Sequence, residues 1–182
     1  MDEAEITTLD SRVVYRNRWM TVREDRIRRQ DGSDGIYGVV DKPDFVAVIA
    51  LEPDGAIHLV EQYRYPIGAR FWELPQGAWE DRPDATMADV ARGELREETG
   101  LEAGQVDEIG TLLESYGFAK QRCHVFLARD LRPGPLVLMP EEQGLITRRF
   151  AVADVLRMVA DGTIQDMTTV AALGLARLRG VL

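Results

Sequence analysis

Cysteine and histidine are nearly missing from this chain of 182 residues: Cys123 is its single cysteine, and His58 and His124 are its only histidines. One cysteine can form neither an intramolecular disulfide nor a multi-cysteine zinc site, and the chain therefore reads as intracellular. Both histidines sit in apolar runs that read as strands, so a structural role is expected for each. Acid and base work then falls to carboxylates, which suits metal-assisted hydrolysis better than a Ser-His or Cys-His nucleophile scheme. No apolar run approaches the roughly 20 residues that span a bilayer. The acidic stretch from Met1 to Glu5 lacks a basic segment followed by an apolar one, so no secretory signal is expected and a cytoplasmic location is predicted. Basic excess is absent as well: 22 Lys and Arg stand against 31 Asp and Glu, a net charge of −9. Nucleic-acid surfaces are usually basic, which argues against a polyanionic polymer as partner. A small diphosphate remains open, because a metal ion supplies positive charge locally.

The chain holds 45% hydrophobic and 29% charged residues, enough apolar material for one compact domain with a small appendage. Residues 13–30 and 36–40 read as strands separated by the turn cluster Asp31-Gly32-Ser33-Asp34-Gly35, a β-hairpin at the N-terminus. Residues 45–51 are continuously apolar, and Pro53-Asp54-Gly55 turns them into a second run over 57–63, so both are expected as central strands. Further strands are predicted at 106–115, 123–128 and 145–150, and helices at 153–160 and 167–178. The predicted division is an N-terminal β appendage over 1–42 and a catalytic domain over 43–182.

The segment from 71 to 101 carries the chemistry. Phe71-Trp72-Glu73-Leu74-Pro75-Gln76-Gly77 reads as a short strand ending in a Pro and Gly turn, and a helix follows from near Asp84. Gly100 suits the left-handed position just past a helix end. Glu94 and Glu98 share one helix face and Glu97 sits beside them, so three carboxylates converge. With Arg92 and Arg96 interspersed, spacing alone favours a solvated face. The alternative is neutralisation by a hard divalent cation, Mg²⁺ or Mn²⁺, that prefers oxygen ligands. Elsewhere, Arg64 offers a planar guanidinium suited to bidentate contact with a diphosphate, or to a salt bridge with a neighbouring acid. Trp19, Tyr37 and Phe118 offer rings that could stack a nucleobase, but core packing is expected for each.

This segment resembles the Nudix box, G-x5-E-x7-R-E-U-x-E-E-x-G-U with U aliphatic, through Glu94, Leu95, Glu97, Glu98, Gly100 and Leu101. The chain departs from the pattern in three places. Gly77 lies two residues further from Gly100 than the pattern has it, Ala85 beside Asp84 stands at the early Glu, and Gly93 stands at the Arg. In the family that Arg helps to hold the carboxylates, so Arg92 or Arg96 is expected to compensate, or the site to be oriented differently. The segment 61–66, the Glu-Leu-Pro-x-Gly turn, Gly117-Phe118, residues 124–128 and Gly162-x-Ile164 resemble the ADP-ribose pyrophosphatase subfamily, although Ser115-Tyr116-Gly117 stands where many of its members carry a proline.

The resemblance implies an α/β fold, an α/β/α sandwich with a mixed sheet, and hydrolysis of ADP-ribose or a related nucleoside diphosphate derivative to two monophosphates. It implies Glu94, Glu97, Glu98 and the Gln76 carbonyl as metal ligands, Arg64 at the substrate phosphates and Glu73 near the terminal ribose. The general base is expected in the loop 140–144, at Glu142 or Glu141, with Glu97 or Glu98 as alternatives. The N-terminal appendage implies a homodimer. A non-hydrolytic nucleotide-binding regulatory module is the second reading, and a metal-dependent isomerase a third.

Overall fold

The structure is a computed structural model that describes residues 4–79, 81, 82, 84–135, 138 and 143–182. Among them are eleven strands and three helices, grouped into two compact units: Met1–Asp44 with Leu113–Arg122, and Phe45–Leu112 with Cys123–Leu182.

The first unit is a four-stranded sheet ordered β1-β2-β3-β9, with β1 at Ile6–Arg16, β2 at Thr21–Arg29, β3 at Asp34–Asp41 and β9 at Ala119–Lys120. The expected hairpin is present as β2 and β3, but the run predicted as one strand over 13–30 is two. The break lies at Asn17, whose side-chain oxygen accepts from the backbone amides of Trp19 and Met20, both at 2.9 Å, a local turn that competes with strand pairing. The link predicted at 116–119 belongs to this unit: Val40 N donates to Phe118 O at 2.8 Å and Tyr37 OH to Gly117 O at 2.6 Å. Ser115 there has φ 43°, which the fixed φ of a proline excludes.

The second unit is layered. Strand β4, Phe45–Ala50, pairs in parallel with β10, Arg122–Pro133, inside the sheet β7-β4-β10-β8; β7 is Gln76–Gly77 and β8 is Leu101–Leu113. Alternate side chains of a strand point to opposite faces. Val46, Val48 and Ala50 accordingly pack with Val90, Ala91 and Leu95 of α1, Met87–Thr99, while Ala47 and Ile49 pack with Val155 of α2, Val152–Ala160, and Leu173 of α3, Met167–Leu178. A strand covered on both faces must be apolar throughout, which is why residues 45–51 lack alternation. Burying each of Val46, Val48 and Ile49, all fully enclosed, contributes about 1.5–3 kcal/mol. A three-stranded sheet, β11-β5-β6, completes the unit, with β5 at Ala56–Arg64, β6 at Ala69–Glu73 and β11 at Ile146–Ala151. Among the described residues no helix is long and apolar enough to cross a membrane.

Candidate active site

Helix α1 starts one residue after Thr86, whose hydroxyl accepts from Asp89 N at 3.1 Å while Asp89 Oδ2 accepts from Thr86 N at 3.2 Å. This capping box satisfies two amides that the first turn leaves without helical partners. The Thr86 hydroxyl also donates to Asp89 Oδ2 at 2.7 Å, and this bond, with that from Thr86 N, holds the Asp89 carboxyl below the usual aspartate range. The helix ends as expected at Gly100, φ 67°.

The turn before α1 is pinned to the centre of the sheet. Gln76 and Gly77 pair with Ala47 and Val46 of β4, and Val48 N donates to Pro75 O at 2.9 Å. Since α1 packs on the same strand, the turn and the acidic helix face meet. Gln76 N donates to Glu98 Oε2 at 3.0 Å. A Cβ built on Gly77 would lie 2.5 Å from Glu94 Oε2, so any larger residue there would displace this carboxylate. Glu94 is 5% exposed and Glu98 3%. Two carboxylates one helical turn apart are thus withdrawn from solvent against a backbone turn. Glu97 is less enclosed and lies 3.6 Å from Arg96 Nη2.

Among the described residues, no group of three His, Cys, Asp or Glu side chains is disposed to hold a metal ion by itself. The donor set nonetheless fits a hard cation such as Mg²⁺. Such an ion prefers oxygen, keeps several waters, and is commonly held by one or two carboxylates together with substrate phosphates. Glu94 and Glu98 offer two such carboxylates, withdrawn from solvent beside the Gln76-Gly77 turn.

Arg64, at the end of β5, forms an ion pair with Glu73 at the end of β6: Nη2 lies 2.8 Å from Oε1 and Nε donates to Oε2 at 3.3 Å. The Arg64 side chain is 41% exposed and that of Glu73 3%, so the acid is interior and the guanidinium reaches solvent. Gln76 Nε2 donates to Glu73 Oε2 at 2.8 Å and to Asp166 Oδ2 at 3.3 Å. Burial pushes the Glu73 carboxyl above its usual range; Arg64 opposes the rise and Asp166 adds to it. Among the described residues no donor is aligned on Glu73 Oε1 despite the close guanidinium. Asp166 caps α3, accepting from Thr169 N at 2.8 Å and Thr169 Oγ1 at 2.7 Å, and Leu74 N donates to Thr169 Oγ1 at 2.9 Å. Sequence reasoning missed Asp166 and Thr169. Their Asp-x-x-Thr spacing marks a helix start, but nothing in the sequence links it to the box turn.

The structure therefore brings Glu94, Glu98 and Gln76 together, and separately joins Glu73, Arg64 and the Gln76 side chain. Glu141 and Glu142 lie outside the described residues. Of the two arginines expected to compensate at Gly93, Arg92 Nη1 donates to Ala103 O at 2.5 Å and Arg96 Nη2 lies 3.6 Å from Glu97 Oε1. His58 and His124 pair with Glu52 at 2.8 Å and Glu108 at 2.9 Å. Trp19, Tyr37 and Phe118 are 44%, 40% and 58% exposed, so the expected core packing does not hold for these rings.

Comparison with known proteins follows the same lines. Residues 6–40 match the nucleoside diphosphate sugar hydrolase N-terminal domain and residues 41–167 the NUDIX domain. The chain is 30% identical to an ADP-ribose pyrophosphatase of Mycobacterium tuberculosis, across 95% of this chain and 84% of that protein. It is 28% identical to an ADP-ribose pyrophosphatase of Bacillus subtilis, across 100% and 98%. A crystal structure of an ADP compounds hydrolase superposes with a TM-score of 0.84 at 23% identity, covering 100% of this chain and 98% of that one. The mixed α/β fold with its acidic helix is that of a Nudix hydrolase, and the chain belongs to the Nudix family. It is a pyrophosphohydrolase whose relatives include ADP-ribose pyrophosphatases. Nudix hydrolases generally use divalent metal ions.

Proposed function

We propose that the protein hydrolyses the pyrophosphate bond of ADP-ribose, or of a related nucleoside diphosphate derivative, with Mg²⁺ or Mn²⁺, and releases two monophosphates. We place it in the cytoplasm as a homodimer joined through the N-terminal unit. The observation that carries the catalytic reading is the withdrawal of Glu94 and Glu98 from solvent against the Gln76-Gly77 turn. The substrate class draws its support from the relatives named for ADP-ribose and ADP compounds.

Glu94, Glu97, Glu98 and the Gln76 carbonyl would hold the cation, which when bound neutralises the diphosphate oxygens and makes phosphorus easier to attack. Arg64 presents its exposed guanidinium to a diphosphate oxygen, and Glu73, buried behind it, fixes its direction. Water adds to one phosphorus, the bond from that phosphorus to the bridging oxygen breaks, and the bridging oxygen leaves on the other monophosphate. The proton lost by water passes to a carboxylate, with Glu142 proposed first, then Glu141 and Glu97.

The test is phosphate release, coupled to a phosphatase, over a panel of nucleoside diphosphate derivatives with Mg²⁺ and Mn²⁺. Turnover is expected with ADP-ribose among the best substrates and is expected to vanish with a chelator. Turnover of no panel member with either ion would overturn the reading.

A further inference from the structure

We propose that Trp79 is a positioning residue for the acidic face of α1, taking over through its contact with Gly93 the support that an arginine gives in the box pattern. The proposal rests on the reading of Glu94, Glu97 and Glu98 as cation ligands. Counting the pattern back from Gly100 puts its first glycine two residues after Gly77, at Trp79, and its arginine at Gly93. These two departures are the halves of one contact. A Cβ built on Gly93 would lie 1.9 Å from Trp79 Cζ2, 2.7 Å from Cη2 and 2.9 Å from Cε2. The six-membered ring of the indole therefore rests on the helix backbone immediately before Glu94, and no side chain at position 93, arginine or alanine, has room.

Glycine is disfavoured inside a helix, and Gly93 is buried in the middle of α1. The close approach of the indole is the physical reason for it. The Arg82 guanidinium stands over the ring, 4.2 Å from its centroid, and Trp79 packs against the cluster of Val90, Ala91 and Leu95. The loop thus touches the helix around Glu94 twice, through Gly77 at the carboxylate and through Trp79 at the preceding backbone. A ring wedged there sets how far the first carboxylate stands from the turn.

Binding of Mn²⁺ to the full chain without substrate, followed by titration calorimetry, reads this directly, with kcat and KM at saturating Mg²⁺ beside it. Trp79→Ala and Gly93→Ala are each expected to weaken Mn²⁺ binding, on the order of 10- to 100-fold as for other groups that orient metal ligands. The loss in kcat is expected to be partly recovered by raising Mg²⁺, which a general loss of fold would not give. Gly93→Arg alone is expected to be worse, and Trp79→Gly with Gly93→Arg to regain affinity. Should Trp79→Ala not fold, Trp79→Phe serves: its smaller ring leaves room for a methyl group, so Gly93→Ala is expected to weaken Mn²⁺ binding far more in the native background than when added to Trp79→Phe. Equal Mn²⁺ affinity in the native protein and in all folded variants would overturn the positioning role while leaving the metal reading intact. No Mn²⁺ binding by the native protein would overturn both.

Discussion

Glu98 accepts from the Gln76 amide and is almost fully enclosed, so a change there removes charge without opening a cavity. Glu98→Gln is nearly isosteric and keeps a carbonyl oxygen for that amide. Turnover is expected to fall by roughly 100-fold or more, the scale on which single charge-stabilising groups act, with the melting temperature little altered. Near-native turnover in steady-state assays would remove Glu98 from the cation site. Glu73 behaves in the opposite manner, because its charge is an expense of the folded state. Its carboxyl titrates above the usual glutamate range in the fold, chiefly through burial. The folded protein then binds this proton more tightly than the unfolded chain does. The contribution is most favourable below the usual glutamate range and is lost as pH rises through the higher folded value. Against Glu73→Gln, which cannot titrate, the native protein should lose relative stability over that interval. Denaturant midpoints of the two proteins at a series of pH values test this, and a constant difference would contradict it.

The capping box is a property of the element. Thr86→Ala removes the acceptor for Asp89 N and is expected to cost about 1 kcal/mol, read as a lower urea midpoint with an unchanged slope. Elements of this kind were legible in the sequence: the unbroken apolar run of β4 predicted a central strand, and Gly100 marked the end of α1. The acidic face was legible too, because helical spacing alone puts Glu94 and Glu98 together. Other features depend on contacts that spacing does not encode. The split at Asn17 comes from one side chain capturing two amides within a run of strand formers. The burial of Glu73 behind Arg64 depends on the ends of two strands meeting, which spacing along the chain does not give. Gly93 looked like a damaged motif until Trp79, fourteen positions earlier, was found against it.

At the scale of the whole molecule, β1 is an edge strand of eleven residues, all exposed, and carries Ile6, Leu9, Val13, Val14 and Tyr15. Ile36 on β3 is 67% exposed. A long exposed edge is a template for pairing with another chain, and apolar side chains in number on one small sheet mark an interaction surface. Register irregularities between Thr8 and Asp10 and between Val13 and Tyr15 interrupt the ladder, which argues against open-ended addition of strands and for a closed pair of copies. Solution scattering should therefore give twice the 20.4 kDa chain mass. Val13→Asp with Ile36→Asp places charge on that surface and should shift the mass toward the single chain, with the far-UV spectrum unchanged. A native mass equal to one chain across the concentration range would refute the homodimer. A native dimer that persists in the double variant would move its interface off this sheet.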